Sequence, residues 1–326
     1  MVYPRDVRWP ITLALVLTLV PAWTGDGRRA VFDPGLSITA TPFVPRGGWP
    51  RRVGALEPVG AVSLRANQRA FGGISALALH DGQAILLSDG GLVVRLRISG
   101  DKLWTLGTAE LSDGPETPWR KASRDTESLA LDPRTGRAWI GYERINMIWR
   151  YAPDFEHADA ASPPLAMRDW GVNSSIESLA RLNDGRFLAF REGGLWQNGA
   201  RAALLFYGDP ALYDTPTAAL RYLPPPHHSP SDAAVLPNGD VLVLNRRVHL
   251  PMRFEMTLVR IAAHSIRPGA LLHGQVVARF GDTLGRENAE GLAVSQERGQ
   301  TMIWLVTDND GASWRRTILA KFRWRG

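Results

Sequence analysis

The sequence contains no cysteine. Disulfides and thiolate metal sites are excluded, and any metal must take oxygen or imidazole ligands. Lysine is scarce: Lys102, Lys121 and Lys321 are three of the 38 Lys and Arg residues. The formal charge of +6 therefore rests on arginine. Its planar fork suits phosphate or carboxylate, although GC-rich coding gives the same composition. The basic residues form no stripe, which sets nucleic acid aside as a partner. Beyond the N-terminus there is no apolar run of the ~20 residues a membrane span needs. Helical periodicity is lacking throughout.

The N-terminus carries Arg5 and Arg8, then the apolar run Ile11 to Val20, then Pro21-Ala22-Trp23-Thr24. This order predicts a signal peptide over 1–24, with an uncleaved anchor as the alternative. A periplasmic or secreted protein is expected, with no membrane span in the mature chain. Residues 25–58 are rich in proline and glycine and read as a tether and irregular lead-in. The remaining chain, 59–326, reads as one domain.

That domain is organised by a repeat in which an acidic residue precedes a short apolar run. Asn288-Ala289-Glu290-Gly291-Leu292-Ala293-Val294 is its clearest copy. The anchor residues are Ser75, Glu127, Glu177, Asp232 and Glu290, separated by 52, 50, 55 and 58 residues. After each of the first four comes a turn such as His80-Asp81-Gly82 or Asn183-Asp184-Gly185, which is hairpin chemistry. A second strand follows and ends in a polar cluster, as at Glu143-Arg144 or Arg191-Glu192. Four short strands per unit of about fifty residues predict an all-β fold, a β-propeller. Five blades are expected and six are the alternative. The last unit is one strand short, and Val59–Asn67 is the candidate to close the ring.

In a ring, equivalent anchors converge on the axis. Glu127, Glu177, Asp232 and Glu290 are therefore expected to form a carboxylate ring, and its mutual repulsion needs neutralising. A hard cation such as Ca²⁺ is one means, and Asp308 could join its ligands. The arginines that end second strands, Arg144, Arg191 and Arg246, are another. The third reading is that each acid only bonds the backbone of a neighbouring blade. Arg124 and Arg286 complete the anion-binding candidates. His228 is a candidate general acid or base beside Glu127, Glu177 and Glu290.

The ordered set Phe71-Gly72-Gly73-Ile74-Ser75-Ala76-Leu77, Asp125-Thr126-Glu127-Ser128-Leu129, Ile176-Glu177-Ser178-Leu179, Ser231-Asp232, Glu287-Asn288-Ala289-Glu290-Gly291 and Asp308-Asn309-Asp310 resembles the phytase-like family, "esterase-like activity of phytase". The resemblance implies a β-propeller, export, and hydrolysis of phosphoesters or esters. The Asp-Ala-Ala-Asp-Asp stretch of alkaline β-propeller phytases does not occur. The expectation is a metal-assisted phosphoester or ester hydrolase acting on a small anionic or ester substrate as a monomer. The alternatives are a non-catalytic binding propeller of the cell envelope and a calcium-dependent lactonase-like hydrolase.

Overall fold

Asp81 and Gly82 both take positive φ, 48° and 71°, and leave His80 paired with Gln83 across a two-residue hairpin. Arg298 and Gly299, at 49° and 76°, close a second hairpin between Glu297 and Gln300. Such turns match the twist of the strands they join. The computed structural model describes residues 29–326 except 34, 100–101, 118–119, 172–175, 194–198, 250–252 and 313. The expected signal peptide lies outside the described residues. Among them no helix is long and apolar enough to cross a membrane.

Two strands precede the repeats, β1 (Ile38–Pro42) and β2 (Leu56–Ala66). Blade one is β3 (Ile74–His80), β4 (Gln83–Ser88), β5 (Leu92–Ser99) and β6 (Lys102–Glu110). Blade two is β7 (Thr126–Leu131), β8 (Ala138–Tyr142), β9 (Met147–Tyr151) and β10 (Ala158–Ser162). Blade three is β11 (Ile176–Arg181), β12 (Phe187–Arg191), β13 (Arg201–Phe206) and β14 (Thr217–Leu223). Blade four is β15 (Ser229–Val235), β16 (Val241–His249) and β17 (Arg253–Ile261), then β18 (Leu271–His273), then its outer strand β19 (Gln275–Arg279). Strand β18 leaves blade four and pairs parallel with β14 of blade three. Blade five is β20 (Asn288–Glu297), β21 (Gln300–Asp308) and β22 (Thr317–Trp324).

The chain therefore makes five sheets, a five-bladed propeller. Strand β2 pairs with β22 and supplies the missing fourth strand of blade five, so the two ends of the array close the ring and protect its sheet edges. The lead-in is more ordered than its composition implies. It holds β1, which pairs outside β2.

Alternation within each strand builds the core. Ile85 and Leu87 face blade two, while Ala84 and Leu86 face blade five. Five buried clusters result, one between each pair of neighbouring blades. Trp139 packs edge-on against Phe187, with ring centroids 4.8 Å apart, across blades two and three. The inner strands β3, β7, β11, β15 and β20 stand side by side around the axis.

Candidate functional site

Each inner strand carries a β-bulge near its start. The register with the second strand slips at Ser75, Glu127, Glu177, Ser231 and Glu290. A bulge leaves one residue unpaired and re-aims its side chain. Here it turns the anchor toward the axis instead of into an inter-blade core. The electrostatics agree, because Glu127 feels Glu177 and Glu290 directly. Three glutamates and two serines thus occupy the equivalent positions.

Asp232 lies one residue past its bulge. Its Oδ2 accepts from the Leu292 N–H at 2.6 Å in blade five, and its Oδ1 accepts from the Ala233 N–H at 2.8 Å. The structure therefore places Asp232 outside the ring and gives it the blade-locking geometry. The offset is visible in the sequence. Leu-Ala follows the anchor by two residues at Glu127, Glu177 and Glu290, and the matching Ala233-Ala234 points back to Ser231. Asp308 behaves similarly: its Oδ1 accepts from the Ile74 N–H at 2.8 Å, joining blade five to blade one. Burial, then Glu290 and Asp310, push its carboxyl up to about 9.

The ring glutamates differ in their partners. Glu290 accepts from Asn288 Nδ2 at 2.7 Å and from Arg246 Nη1. Arg246 also donates to Glu192 at 3.0 Å. Burial alone would lower the Arg246 pKa, but Glu290, Glu177 and Glu192 outweigh it and raise it. Glu177 is 6% exposed and accepts no hydrogen bond from any described residue. Burial, then the Glu192 charge, hold its pKa well above the usual carboxylate range, and Arg246 offsets only part of this. Glu127 is half-buried. Burial first, then Glu177 and Glu290, raise its pKa as well.

Asp125, Glu127 and Glu143 bring carboxylate oxygens within 4.8 Å of one another. Hard cations take oxygen ligands of this kind, so the donor set fits Ca²⁺. Arg144 Nε also holds Asp125, at 3.0 Å. Further along the axis the inner strands line a cavity of about 190 Å³, with Leu77, Leu129, Leu179 and Leu292 on its wall beside Arg181 and Asn183. Burial within the ring is the physical cause of the desolvation of Glu127 and Glu177.

The other expected site residues are placed less centrally. Arg124 is buried and donates to the carbonyls of Leu111, Ser112, Pro115 and Ser123. It shapes a loop, and its donors are engaged there. Arg191 lies 5.9 Å over the Trp170 ring, and burial lowers its pKa. Arg286 pairs with Asp282 on the surface. His228 is buried, with Nε2 3.2 Å from Thr257 Oγ1 and Nδ1 2.9 Å from the Pro226 carbonyl. Its electrostatic neighbours are Glu255, Arg247 and Arg279 rather than the ring. Sequence reasoning missed Asp125, Glu143 and Glu192. Both glutamates sit in second-strand end clusters, but the sequence does not say that the acids in those clusters turn inward with the ring.

Fold and site together define a five-bladed propeller with a buried acidic centre on its axis. The chain belongs to the Phytase-like family, "esterase-like activity of phytase", whose model matches residues 69–311. No curated protein matches the chain. Among solved structures, a GH43 β-1,3-galactosidase with galactodeoxynojirimycin is similar at a TM-score of 0.50, with 9% identity, over 76% of this chain and 90% of that one. A Xanthomonas campestris gluconolactonase is similar at 0.42, with 12% identity, over 90% and 99%. Kuenenia stuttgartiensis hydrazine synthase is similar at 0.40, with 10% identity, over 74% of this chain and 58% of that one. The chain thus spans a little over half the length of the last. At these identities the likeness concerns the fold alone.

Proposed function

We propose that the chain is a hydrolase of ester bonds that works with a bound divalent cation, calcium, at the axial carboxylate centre. The observation that carries this is the convergence of Glu127 with Asp125 and Glu143 within 4.8 Å, beside a buried Glu177 that no described residue neutralises by a hydrogen bond. Asp125, Glu127 and Glu143 would hold the cation. When bound, it supplies Lewis-acid polarisation of the ester oxygen.

The chain's own residues do the rest. Glu177 exchanges a proton with the attacking water or the leaving group, because burial and the Glu192 charge make it hold its proton more tightly than an ordinary carboxylate. Arg246 fixes Glu290 and Glu192 in place. A neutral carboxylic ester or lactone is favoured over a phosphoester. Arg124 and Arg246 are engaged by protein groups, and Arg144 and Arg286 have carboxylate partners. An exported location, as the 1–24 segment implies, suits a calcium site of the extracellular class, with Kd about 10⁻⁴–10⁻³ M.

A non-catalytic binding propeller is the second reading, and the same engaged arginines favour it. Hydrolysis of p-nitrophenyl acetate and p-nitrophenyl phosphate by the purified protein, with calcium or with EDTA, separates the possibilities. Calcium-dependent cleavage of the acetate, lost in Glu177→Gln, supports the proposal. Preferential cleavage of the phosphate restores the phosphoester reading. Calcium binding without turnover of either ester selects the binding propeller.

A further inference from the structure

A second pocket lies off the axis on the outer side of blade five. It encloses about 610 Å³ between the end of β2, the turn after it and the loop joining β21 to β22. Ligand sites commonly occupy this range of volume. Four arginines line it: Arg65, Arg69, Arg315 and Arg316. Arg315 pairs with Asp310, and Arg316 with Glu287 at 3.0 Å. Arg65 and Arg69 are exposed and have no hydrogen-bonding or ion-pair partner for their guanidinium groups among the described residues. Elsewhere in this chain arginines commonly meet an acid, as at Arg150, Arg186 and Arg323.

The walls are built rather than loose. Asn67 and Gln68 bond the backbone of the lead-in at Ser37, Gly35 and Asp33. Asn309 Oδ1 accepts from the N–H groups of Gly73 and Gly311. At the rim stands Trp314, 72% exposed, the most exposed of the large hydrophobic side chains described. The Arg315 guanidinium lies 4.9 Å from its ring centroid. An indole held beside cations and left open to solvent offers a stacking face next to anion-binding forks.

We propose that this pocket binds an acidic saccharide, with the acidic group on Arg65 and Arg69 and the sugar ring against Trp314. A planar guanidinium accepts a carboxylate in a two-point fork. The apolar C–H face of a pyranose ring covers an exposed indole that water solvates poorly. The site is separate from the axial carboxylates, so it does not depend on the chemistry proposed there.

The test is calorimetric titration of the full protein with a uronate-containing disaccharide, its neutral glucose counterpart and inorganic sulfate alone. The uronate sugar should bind, and the neutral sugar should bind at least about tenfold more weakly, since it lacks a charge-assisted contact. Arg65→Ala with Arg69→Ala should weaken the uronate sugar by about tenfold or more. Both positions are exposed, so folding should be unaffected. Trp314→Ala should weaken it several-fold, and Glu127→Gln should leave it unchanged. Equal binding of the neutral sugar, undiminished binding by the double variant, or sulfate binding as tightly as the disaccharide would overturn the proposal.

Discussion

Arg246 of blade four donates to the carboxylate of Glu290 in blade five, and its other amino group holds Glu192 of blade three. One guanidinium therefore ties three blades together at the axis. Its positive charge also sets how much negative charge the centre keeps. Among the described residues, Glu127 and Glu177 take no part in these hydrogen bonds, and Arg246 faces Glu177, Glu192 and Glu290 together.

Removing Arg246 should unmask that imbalance. Arg246→Met leaves Glu290, Glu192 and Glu177 buried against one another. Loss of one partner from a buried ion pair costs about 3–5 kcal/mol. Urea unfolding should show a loss of that order at neutral pH, and a smaller loss at pH 5, where the carboxyl groups can take up protons.

Asp232 should behave as a structural residue. Asp232→Ala removes acceptors from the Leu292 and Ala233 N–H groups, and a buried unsatisfied donor costs about 1–3 kcal/mol. Stability should fall by that order for each donor left unmet, while calcium affinity of the folded protein stays unchanged. A lost calcium site with stability intact would place Asp232 in the ring after all.

The stability of the calcium-free protein should decline as pH rises. Glu127 and Glu177 have folded pKa values raised above an ordinary value of 4.5, and Asp308 is raised from 3.8 to about 9. The folded state therefore binds more protons than the unfolded state across this window, and the slope of stability with pH is negative. The contribution is most favourable below the unfolded values and diminishes up to about pH 9, where Asp308 has titrated. Thermal unfolding in EDTA should give a higher midpoint at pH 5 than at pH 8. Saturating calcium should reduce or reverse the difference.

Gly291 sits where blade five meets blade one. A Cβ there would lie 2.7 Å from Leu77 Cβ and 2.9 Å from Leu77 N. Gly291→Ala should destabilise by about 1–3 kcal/mol through overpacking, measurable as a shift in the urea midpoint. An unchanged midpoint would mean that the two blades separate easily.

The blade count and the closure by β2 were legible because turn residues and strand alternation are local properties. The position of Glu127, Glu177 and Glu290 was legible for the same reason, as each precedes its apolar run at fixed spacing. Asp232 was misplaced by one residue because chemical type outweighed register. A bulge moves the inward position by one, and only the Leu-Ala spacing records it. The partners of the ring were hidden. Glu143 and Glu192 follow the second strands of blades two and three and Arg246 lies within that of blade four, and nothing local states which of them turn toward the axis. Arg124 looked available for a ligand because its four carbonyl acceptors lie in a loop whose path the sequence does not reveal. The strand β1 was concealed by the proline and glycine around it, since its pairing depends on β2, already placed by the ring.

Calorimetric titration of the metal-free protein with calcium tests the axial centre most directly. Wild-type protein should bind calcium at the axial site, Glu127→Gln should weaken that binding by about tenfold or more, as expected when one charged ligand is lost, and Asp232→Asn should bind as wild type does. Absence of calcium binding by the wild-type protein, or undiminished binding by Glu127→Gln, would contradict a metal-holding role for the carboxylates on the axis.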